Sequence, residues 1–168
     1  MIEILVTGGT FDKEYDERRG RLYFRRTHVE EMLALGRCRV PARVRTLMMI
    51  DSLDMRPADR RRVLEACRRS KASRLVVTHG TDTMVETAGA LAAELEGKTV
   101  VLTGAMVPYK FGSSDGLFNL GSALAFAQSL PPGVYVAMNG RVFDWDRVRK
   151  DRARGVFSEL RPARRRRS

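Results

Sequence analysis

Five short apolar runs, separated by segments with helical spacing, are the feature that most constrains the fold of this chain. Each run is almost continuously apolar, which is typical of strands buried on both faces of a parallel sheet. Strand and helix patterns that alternate in this way predict an α/β fold, with a mainly parallel sheet between two helical layers. The runs span residues 2–6, 44–50, 74–78, 99–103 and 134–138, and the helical patterns 27–35, a segment starting at 57, 82–96 and 115–128.

Small polar turns follow four of the predicted strands. In open α/β sheets, ligands bind outside the carboxyl ends of the strands, so we expect these turns to form a site together. The turn at 78–82 is the most polar, with two threonines, His79, Gly80 and Asp82. The turn at 7–10 has Gly8 and Gly9, which allow a tight bend and close backbone approach. The other two turns are 51–54 and 104–106.

The bulk composition favours one soluble globular domain. The chain has 168 residues, of which 43% are hydrophobic and 30% charged, and these values are typical of such domains. No apolar run approaches the ~20 residues that span a membrane, and the N-terminus lacks the basic region of a signal peptide. We therefore expect a cytoplasmic protein with no membrane association, whose Cys38 and Cys67 are free thiols.

The net charge of +11 is concentrated near the C-terminus. We expect residues 1–158 to form the domain and residues 159–168 to be a basic, disordered tail. An arginine-rich tail can attract nucleic acid, but no aromatic side chain alternates with the arginines to stack on bases. A solvated terminus is the preferred interpretation, and nucleic-acid binding is the alternative.

No cofactor or metal site is predicted from the turns. The spacing of Gly8 and Gly9 does not fit the dinucleotide fingerprint, and the chain has no phosphate-binding Gly-Lys-Ser/Thr motif. His79 has no second histidine nearby, and His28 falls in a predicted helix. We therefore expect His79 to be a structural hydrogen-bonding residue rather than a metal ligand or a base.

The turns and the C-terminal region contain the groups for threonine-based acyl transfer. A threonine hydroxyl becomes a nucleophile only when a base removes its proton. Lys150 could do so if desolvation and the cationic neighbours Arg149 and Arg152 favoured its neutral form. Asp82 could orient that lysine or bind a substrate ammonium, and a helix-capping role for Asp82 is the structural alternative. Backbone amides in the glycine turns could stabilise an oxyanion.

Several motifs of the chain resemble those of bacterial-type L-asparaginases. Three occur in the family's order: Thr7-Gly8-Gly9-Thr10, the Thr-His-Gly-Thr-Asp-Thr run at 78–83 and the Leu-Thr-Gly-Ala-Met run at 102–106. The segment 52–55 is similar to the family's serine substrate loop, and 147–150 to the segment with its catalytic lysine. The resemblance covers only the family's N-terminal domain. It implies a single three-layer αβα domain with a flavodoxin-like (Rossmann-like) sheet, and assembly into dimers or tetramers.

The resemblance also implies roles for individual residues. Thr10 would be the nucleophile, assisted by a tyrosine on a mobile loop at 11–20. Thr81 would position the water or act as nucleophile, together with Lys150 and Asp82. We expect the loop tyrosine to be Tyr15, with Tyr23 as the alternative. The expected catalytic residues are Thr10, Tyr15, Thr81, Asp82 and Lys150, and the expected substrate-binding residues are Gly9, Ser52, Asp54, Gly80, Thr81, Asp82 and Ala105.

These roles predict an amidohydrolase that acts on the side-chain amide of asparagine or of a related small amide and releases ammonia. Two departures from the family support an alternative. Leu53 stands where the family usually has glutamine, and the chain lacks the C-terminal domain that completes the family's site from a neighbouring subunit. The alternative is a module that binds an amino acid or amide without efficient turnover, completed by a partner chain.

Overall fold

The computed structural model describes residues 1–160, in which ten strands and four α-helices follow one another. The strands are β1 (Ile2–Gly8), β2 (Lys13–Asp16), β3 (Arg21–Phe24), β4 (Ala42–Ile50), β5 (Arg74–Thr78), β6 (Thr99–Thr103), β7 (Gly133–Met138), β8 (Arg141–Asp144), β9 (Val148–Asp151) and β10 (Val156–Glu159). The helices are α1 (Val29–Leu35), α2 (Pro57–Arg69), α3 (Met84–Ala92) and α4 (Gly116–Ser129).

Six strands form the central sheet in the order β4-β1-β5-β6-β7-β8. The first five run parallel, and β8 pairs antiparallel with β7 at the edge. The register places Ile2 opposite both Ala42 and Arg74, so β1 lies between β4 and β5. The carboxyl ends of β4, β1, β5 and β6 are therefore neighbours, and the turns that follow them meet at one edge of the sheet.

The sheet separates two hydrophobic clusters. Successive strand residues point to opposite faces, so in β1 Leu5 joins one cluster and Ile4 and Val6 the other. The first cluster packs against α2 and α3, and the second against α1 and α4. Because both faces are covered, nearly every position of a central strand is apolar. The predicted three-layer αβα architecture with a mainly parallel sheet is confirmed.

The structure bears out the predicted strands more closely than the segments between them. Strands at 74–78 and 99–103 have the predicted bounds, and the other three are longer by one or two residues at one end. The predicted helix at 82–96 is too long, because α3 spans only Met84–Ala92. The loop expected at 11–20 is wrong, since β2 and β3 form an antiparallel hairpin in that region. Its strands are short and only partly buried, and they lack the apolar alternation that identifies a strand.

A second unpredicted hairpin, formed by β9 and β10, packs on the domain near its C-terminal end. Val148 and Phe157 anchor the hairpin in the cluster under α2 and α3. The strand β10 continues to Glu159, and the Leu160 amide donates to the Arg147 carbonyl at 2.8 Å. Most of the predicted disordered tail, residues 161–168, lies outside the described residues.

Two further expectations concern the thiols and the membrane. Cys38 and Cys67 are free, as predicted, and burial raises the pKa of the Cys67 thiol to about 12. Within residues 1–160, no helix has the length and apolar character to cross a membrane.

Candidate active site

Close backbone contacts between glycines bring the predicted turns together at the carboxyl edge of the sheet. A Cβ atom on Gly9 would lie 2.4 Å from the Gly80 nitrogen, and one on Gly80 would lie 2.5 Å from the Ser52 Oγ. A Cβ atom on Gly104 would lie 2.4 Å from the His79 carbonyl oxygen. Such distances leave no room for a side chain. The turns after β1, β4, β5 and β6 therefore touch one another directly.

Buried hydrogen bonds of the His79 ring stabilise the turn after β5. The residue is fully buried, and its Nδ1 lies 2.7 Å from the Gly80 carbonyl oxygen, which can only accept a hydrogen bond, so Nδ1–H is the donor. Nε2 therefore accepts from the Thr87 hydroxyl, at 2.8 Å. Burial lowers the pKa of His79 to about 4, so the ring is neutral at pH 7. The prediction that His79 is a structural hydrogen-bonding residue is confirmed.

Lys150 lies between Thr81 and Asp82. The hairpin of β9 and β10 brings its Nζ within 2.7 Å of the Thr81 Oγ1 and 2.8 Å of an Asp82 carboxylate oxygen. The lysine side chain is only 10% exposed. Arg152, from the same hairpin, approaches the same Asp82 oxygen at 3.7 Å. Within the described residues, the Asp82 carboxylate bonds to Lys150 rather than to an N–H group of α3, so the capping alternative is not what the structure shows.

The turn after β4 presents an unpaired hydroxyl to the same edge. Ser52 is 1% exposed, and its Oγ has no hydrogen-bond partner within residues 1–160. Its carbonyl accepts from the Thr83 hydroxyl at 2.8 Å, which joins this turn to the one after β5. A buried hydroxyl without a partner is energetically unfavourable, and it can be satisfied by a ligand. Leu53 and Asp54, in the same turn, are exposed.

Asp51 and Lys13 connect that turn to the β2–β3 hairpin through an ion pair. Asp51 also accepts from the Leu53 amide at 3.0 Å. Partial burial raises the pKa of Asp51, but the ion pair and the amide together outweigh burial, so the pKa lies below its ordinary value. The sequence contained no signal for this pair, because Lys13 lies among other charged residues.

Thr10 lies at the start of a single 3-10 turn, Thr10–Asp12, directly after β1. Thr10 is partly exposed, whereas the next two residues, Phe11 and Asp12, are fully buried. The Gly9 amide donates to the Ile50 carbonyl at 2.9 Å, which holds this turn against the end of β4. Thr10 is thereby placed beside the turns that contain Ser52 and Thr81.

The remaining predicted binding residues lie below the open surface. Gly9 and Gly80 are buried at the contact between their turns. Ala105 is 0% exposed and belongs to the cluster beneath α1 and α4. A substrate contact from these three residues stays a prediction.

The two candidate tyrosines project from opposite faces of the β2–β3 hairpin. Tyr15 pairs with Leu22 and is 57% exposed, whereas Tyr23 pairs with Glu14 and donates to its carboxylate at 3.1 Å. Alternate strand residues share a face, so Tyr15 lies on the face of Lys13, which reaches the turn after β4. A catalytic role for either tyrosine stays a prediction.

No cluster of three or more His, Cys, Asp or Glu side chains within the described residues is arranged to hold a metal ion. The site is defined instead by hydroxyls, one lysine and one carboxylate on a rigid α/β framework. Such a set is typical of an acyl-transfer centre.

Comparison with known proteins identifies the family. The model of the asparaginase N-terminal domain matches residues 1–158, so the chain belongs to the asparaginase family. It is 32% identical over 163 residues to the L-asparaginase of Thermococcus kodakarensis, covering 91% of this chain and 48% of that protein. It is 34% identical over 149 residues to one component of the glutamyl-tRNA(Gln) amidotransferase of Methanococcus vannielii, covering 85% of this chain and 35% of that component.

A solved structure agrees with this result. The thermostable L-asparaginase from Thermococcus kodakarensis superimposes with a TM-score of 0.82 at 30% identity, covering 96% of this chain and 52% of that one. The chain therefore spans about half the length of the L-asparaginase that it matches, and the likeness is to that protein's N-terminal domain.

Gly9→Ala tests the close contact between the turns, with Gly97→Ala as its matched control. Both glycines have positive φ, at 81° and 69°, but a Cβ atom on Gly97 would meet nothing within 4 Å. Both variants place an alanine at a positive φ, and the ψ of −176° at Gly9 adds strain there. Only Gly9→Ala must also displace the Gly80 backbone. We expect Gly9→Ala to lose about 2 kcal/mol more unfolding free energy than Gly97→Ala in urea titrations. Equal losses would contradict the contact.

His79 predicts a pH dependence of stability. The pKa is about 4 in the folded chain and about 6.5 when unfolded, so the unfolded state binds a proton first as the pH falls. Stability therefore declines from pH 7 toward pH 4 by about 3 kcal/mol from this group. His79→Gln removes the titration. We expect the stability advantage of wild type over His79→Gln to shrink between pH 7 and pH 4.5. An advantage that is constant with pH would show that His79 titrates normally.

Proposed function

We propose that this chain is an amidohydrolase that cleaves the side-chain amide of asparagine or of a related small amide and releases ammonia. The observation that carries the proposal is the position of the Lys150 Nζ, 2.7 Å from the Thr81 hydroxyl and 2.8 Å from Asp82. Membership of the asparaginase family supports the reaction class.

Proton transfer from a threonine requires a base within hydrogen-bonding distance, and Lys150 meets that condition for Thr81. In its neutral form, Lys150 accepts the Thr81 proton with its lone pair while one of its N–H groups donates to Asp82. Asp82 thereby holds the amine in the orientation for transfer. Low exposure of the lysine side chain limits competition from water.

Thr10 is the proposed first nucleophile. Its oxygen attacks the amide carbonyl while the hydroxyl proton passes, by way of the proposed hairpin tyrosine, to the amide nitrogen. The C–N bond then breaks, and the nitrogen leaves as ammonia with that proton. Water then attacks the resulting ester, which frees Thr10 and the carboxylate product. Thr81 positions that water or provides an alternative nucleophile. Backbone N–H groups of the glycine turns stabilise the oxyanion in both steps.

Binding of the substrate is proposed for the groups around these threonines. The unpaired Ser52 hydroxyl is suited to donate to a substrate carboxylate, and Asp82 or Asp54 to accept from an ammonium group. Gly9, Gly80 and Ala105 are the remaining residues that we propose to contact the substrate. Tyr15 is the proposed hairpin tyrosine, supported by the face that it shares with Lys13, and Tyr23 is the alternative.

A second candidate function is binding without efficient turnover, completed by a partner chain. Its supporting observations are Leu53, which is 64% exposed beside the site, and the 34% identity to a component of an amidotransferase. We propose a cytoplasmic location and a dimer or tetramer of identical chains for the amidohydrolase. Nucleic-acid binding is not part of this proposal.

Ammonia release from purified protein, over a panel of asparagine, glutamine and related amides, tests the function. We expect Thr10→Ala and Thr81→Ala each to lower kcat on the best amide by a factor on the order of 10³, because each removes a reacting hydroxyl. Thr46→Ala, at an exposed position of β4, is the matched control and should retain wild-type kcat.

Equal rates from wild type, Thr10→Ala and Thr81→Ala would remove the two threonines from the mechanism. Tight calorimetric binding of an amide without ammonia release would favour the binding module instead.

A further inference from the structure

A polar cluster next to the candidate site surrounds the buried ring of His28. The ring is 1% exposed and has Glu14 on one side, with 3.2 Å between its Nε2 and a carboxylate oxygen. On the other side, Nδ1 lies 3.7 Å from a Glu31 oxygen, and Lys110 binds both oxygens of Glu31 at 2.8–2.9 Å. The His28 ring also lies against Tyr109, with 5.9 Å between ring centroids.

This cluster is costly for stability. Neither ring nitrogen of His28 has a hydrogen-bond partner of good geometry within residues 1–160, and neither does the Oδ2 atom of Asp12. Each unsatisfied buried polar atom costs about 1–3 kcal/mol. Burial raises the pKa of Asp12 to about 6, and burial with the charge of Lys110 lowers the pKa of His28. Polar groups in such unfavourable surroundings are concentrated at functional sites.

Three successive side chains, beginning with the last residue of the Thr10–Asp12 turn, contact three different parts of the domain. The Asp12 carboxylate accepts from the His28 amide at 2.8 Å and from the Thr27 hydroxyl at 3.1 Å. Lys13 pairs with Asp51 on the opposite side. Glu14 is the third anchor, and its two oxygens contact different elements.

One oxygen of Glu14 lies at His28, and the other accepts from the Tyr23 hydroxyl at 3.1 Å. Tyr23 is directly across the hairpin from Glu14. The Glu14 carboxylate is therefore the group that joins both strands of the hairpin to the start of α1. This bond to the carboxylate also raises the pKa of Tyr23 above its ordinary value.

We propose that Glu14 is a positioning residue for the candidate active site, because its carboxylate contacts both Tyr23 and His28. These contacts hold the β2–β3 hairpin, which directly follows the turn that begins at Thr10. This inference rests on the proposed function, since it assigns Glu14 a part in the same reaction. Glu14 acts through the hairpin, not on the reacting atoms. Its loss leaves the anchors of Asp12 and Lys13 in place, so the domain still folds.

Kinetics of two variants and a control test the proposal. Glu14→Ala removes both contacts, whereas Glu14→Gln keeps an oxygen to accept from Tyr23 and an amide to donate to His28. We expect Glu14→Ala to lower kcat for ammonia release by about tenfold or more with KM changed by less than about threefold, because misplacement impairs chemistry more than binding. Glu14→Gln should stay within about threefold of wild type.

Glu30→Ala is the matched control, because Glu30 is an exposed glutamate on α1 with no ion pair in the described part of the chain. It should behave as wild type. A Glu14→Ala enzyme with the kcat of Glu30→Ala would overturn the proposal. So would a Glu14→Gln enzyme as impaired as Glu14→Ala, since that result would exclude the retained contacts with Tyr23 and His28 as the cause.

Limited trypsin digestion provides a readout that is independent of activity. Arg18, Arg19 and Arg21 lie at the tip of the hairpin, and cleavage there reports its local opening. We expect Glu14→Ala to be cut at these arginines about tenfold faster than wild type, Glu14→Gln and Glu30→Ala, with fragments identified by mass spectrometry. Unchanged cleavage in Glu14→Ala would overturn the anchoring role.

The two readouts separate the two proposals. If wild type released no ammonia from any amide of the panel, the proposed function would fail, and the positioning role of Glu14 in that reaction would fail with it. Trypsin cleavage would still decide whether Glu14 holds the hairpin. If wild type is active and Glu14→Ala is unimpaired, only the inference about Glu14 fails.

Discussion

Direct backbone contact between the turn after β1 and the turn after β5 is the constraint on which the candidate site depends. Gly9 and Gly80 lie so close that a Cβ atom on Gly9 would overlap the Gly80 backbone. Gly80 is equally close to Ser52. These contacts leave the hydroxyls of Thr10, Ser52 and Thr81 on neighbouring turns of a rigid sheet. Rigid supporting elements are what catalytic geometry requires, because small displacements of reacting groups lower rates strongly.

Lys150 completes the site from a different part of the fold. It lies on a hairpin that is anchored in the core by Val148 and Phe157, more than sixty residues after Thr81 in the sequence. Two buried hydrogen bonds hold the turn that contains Thr81. The neutral His79 ring bonds to the Gly80 carbonyl, and the Thr83 hydroxyl donates to the Ser52 carbonyl. The lysine, threonine and aspartate therefore form a supported cluster, and the buried Ser52 Oγ beside it has no hydrogen-bond partner within residues 1–160.

The sequence predicted best the parts of the fold whose residues are almost all buried among apolar side chains. Strands buried on both faces consist almost entirely of apolar residues. The first and last residues of β5 and β6 were therefore predicted correctly. The convergence of the polar turns follows from parallel strands alone, because their carboxyl ends share one edge. The family motifs then singled out Thr10, Thr81, Asp82 and Lys150, and the structure places the last three in direct contact.

The parts that were missed depend on tertiary contacts between polar residues. The β2–β3 hairpin has no apolar alternation, and its contacts with the rest of the domain include the Lys13 pair with Asp51 and the approach of Glu14 to His28. His28 looked like an ordinary helical residue in the sequence, yet it is buried among carboxylates. Charged side chains in a sequence predict a solvated surface by default. Only the fold shows which of them are enclosed.

The most direct test of the account is the rate of ammonia release by Lys150→Met, measured on the best amide for wild type and with circular dichroism to establish that the variant is folded. Methionine keeps the apolar stem and most of the length of the side chain but cannot accept or donate a proton. The account predicts a fall in kcat on the order of 10³, the contribution of a general base. A folded Lys150→Met enzyme that releases ammonia at close to the wild-type rate would contradict it.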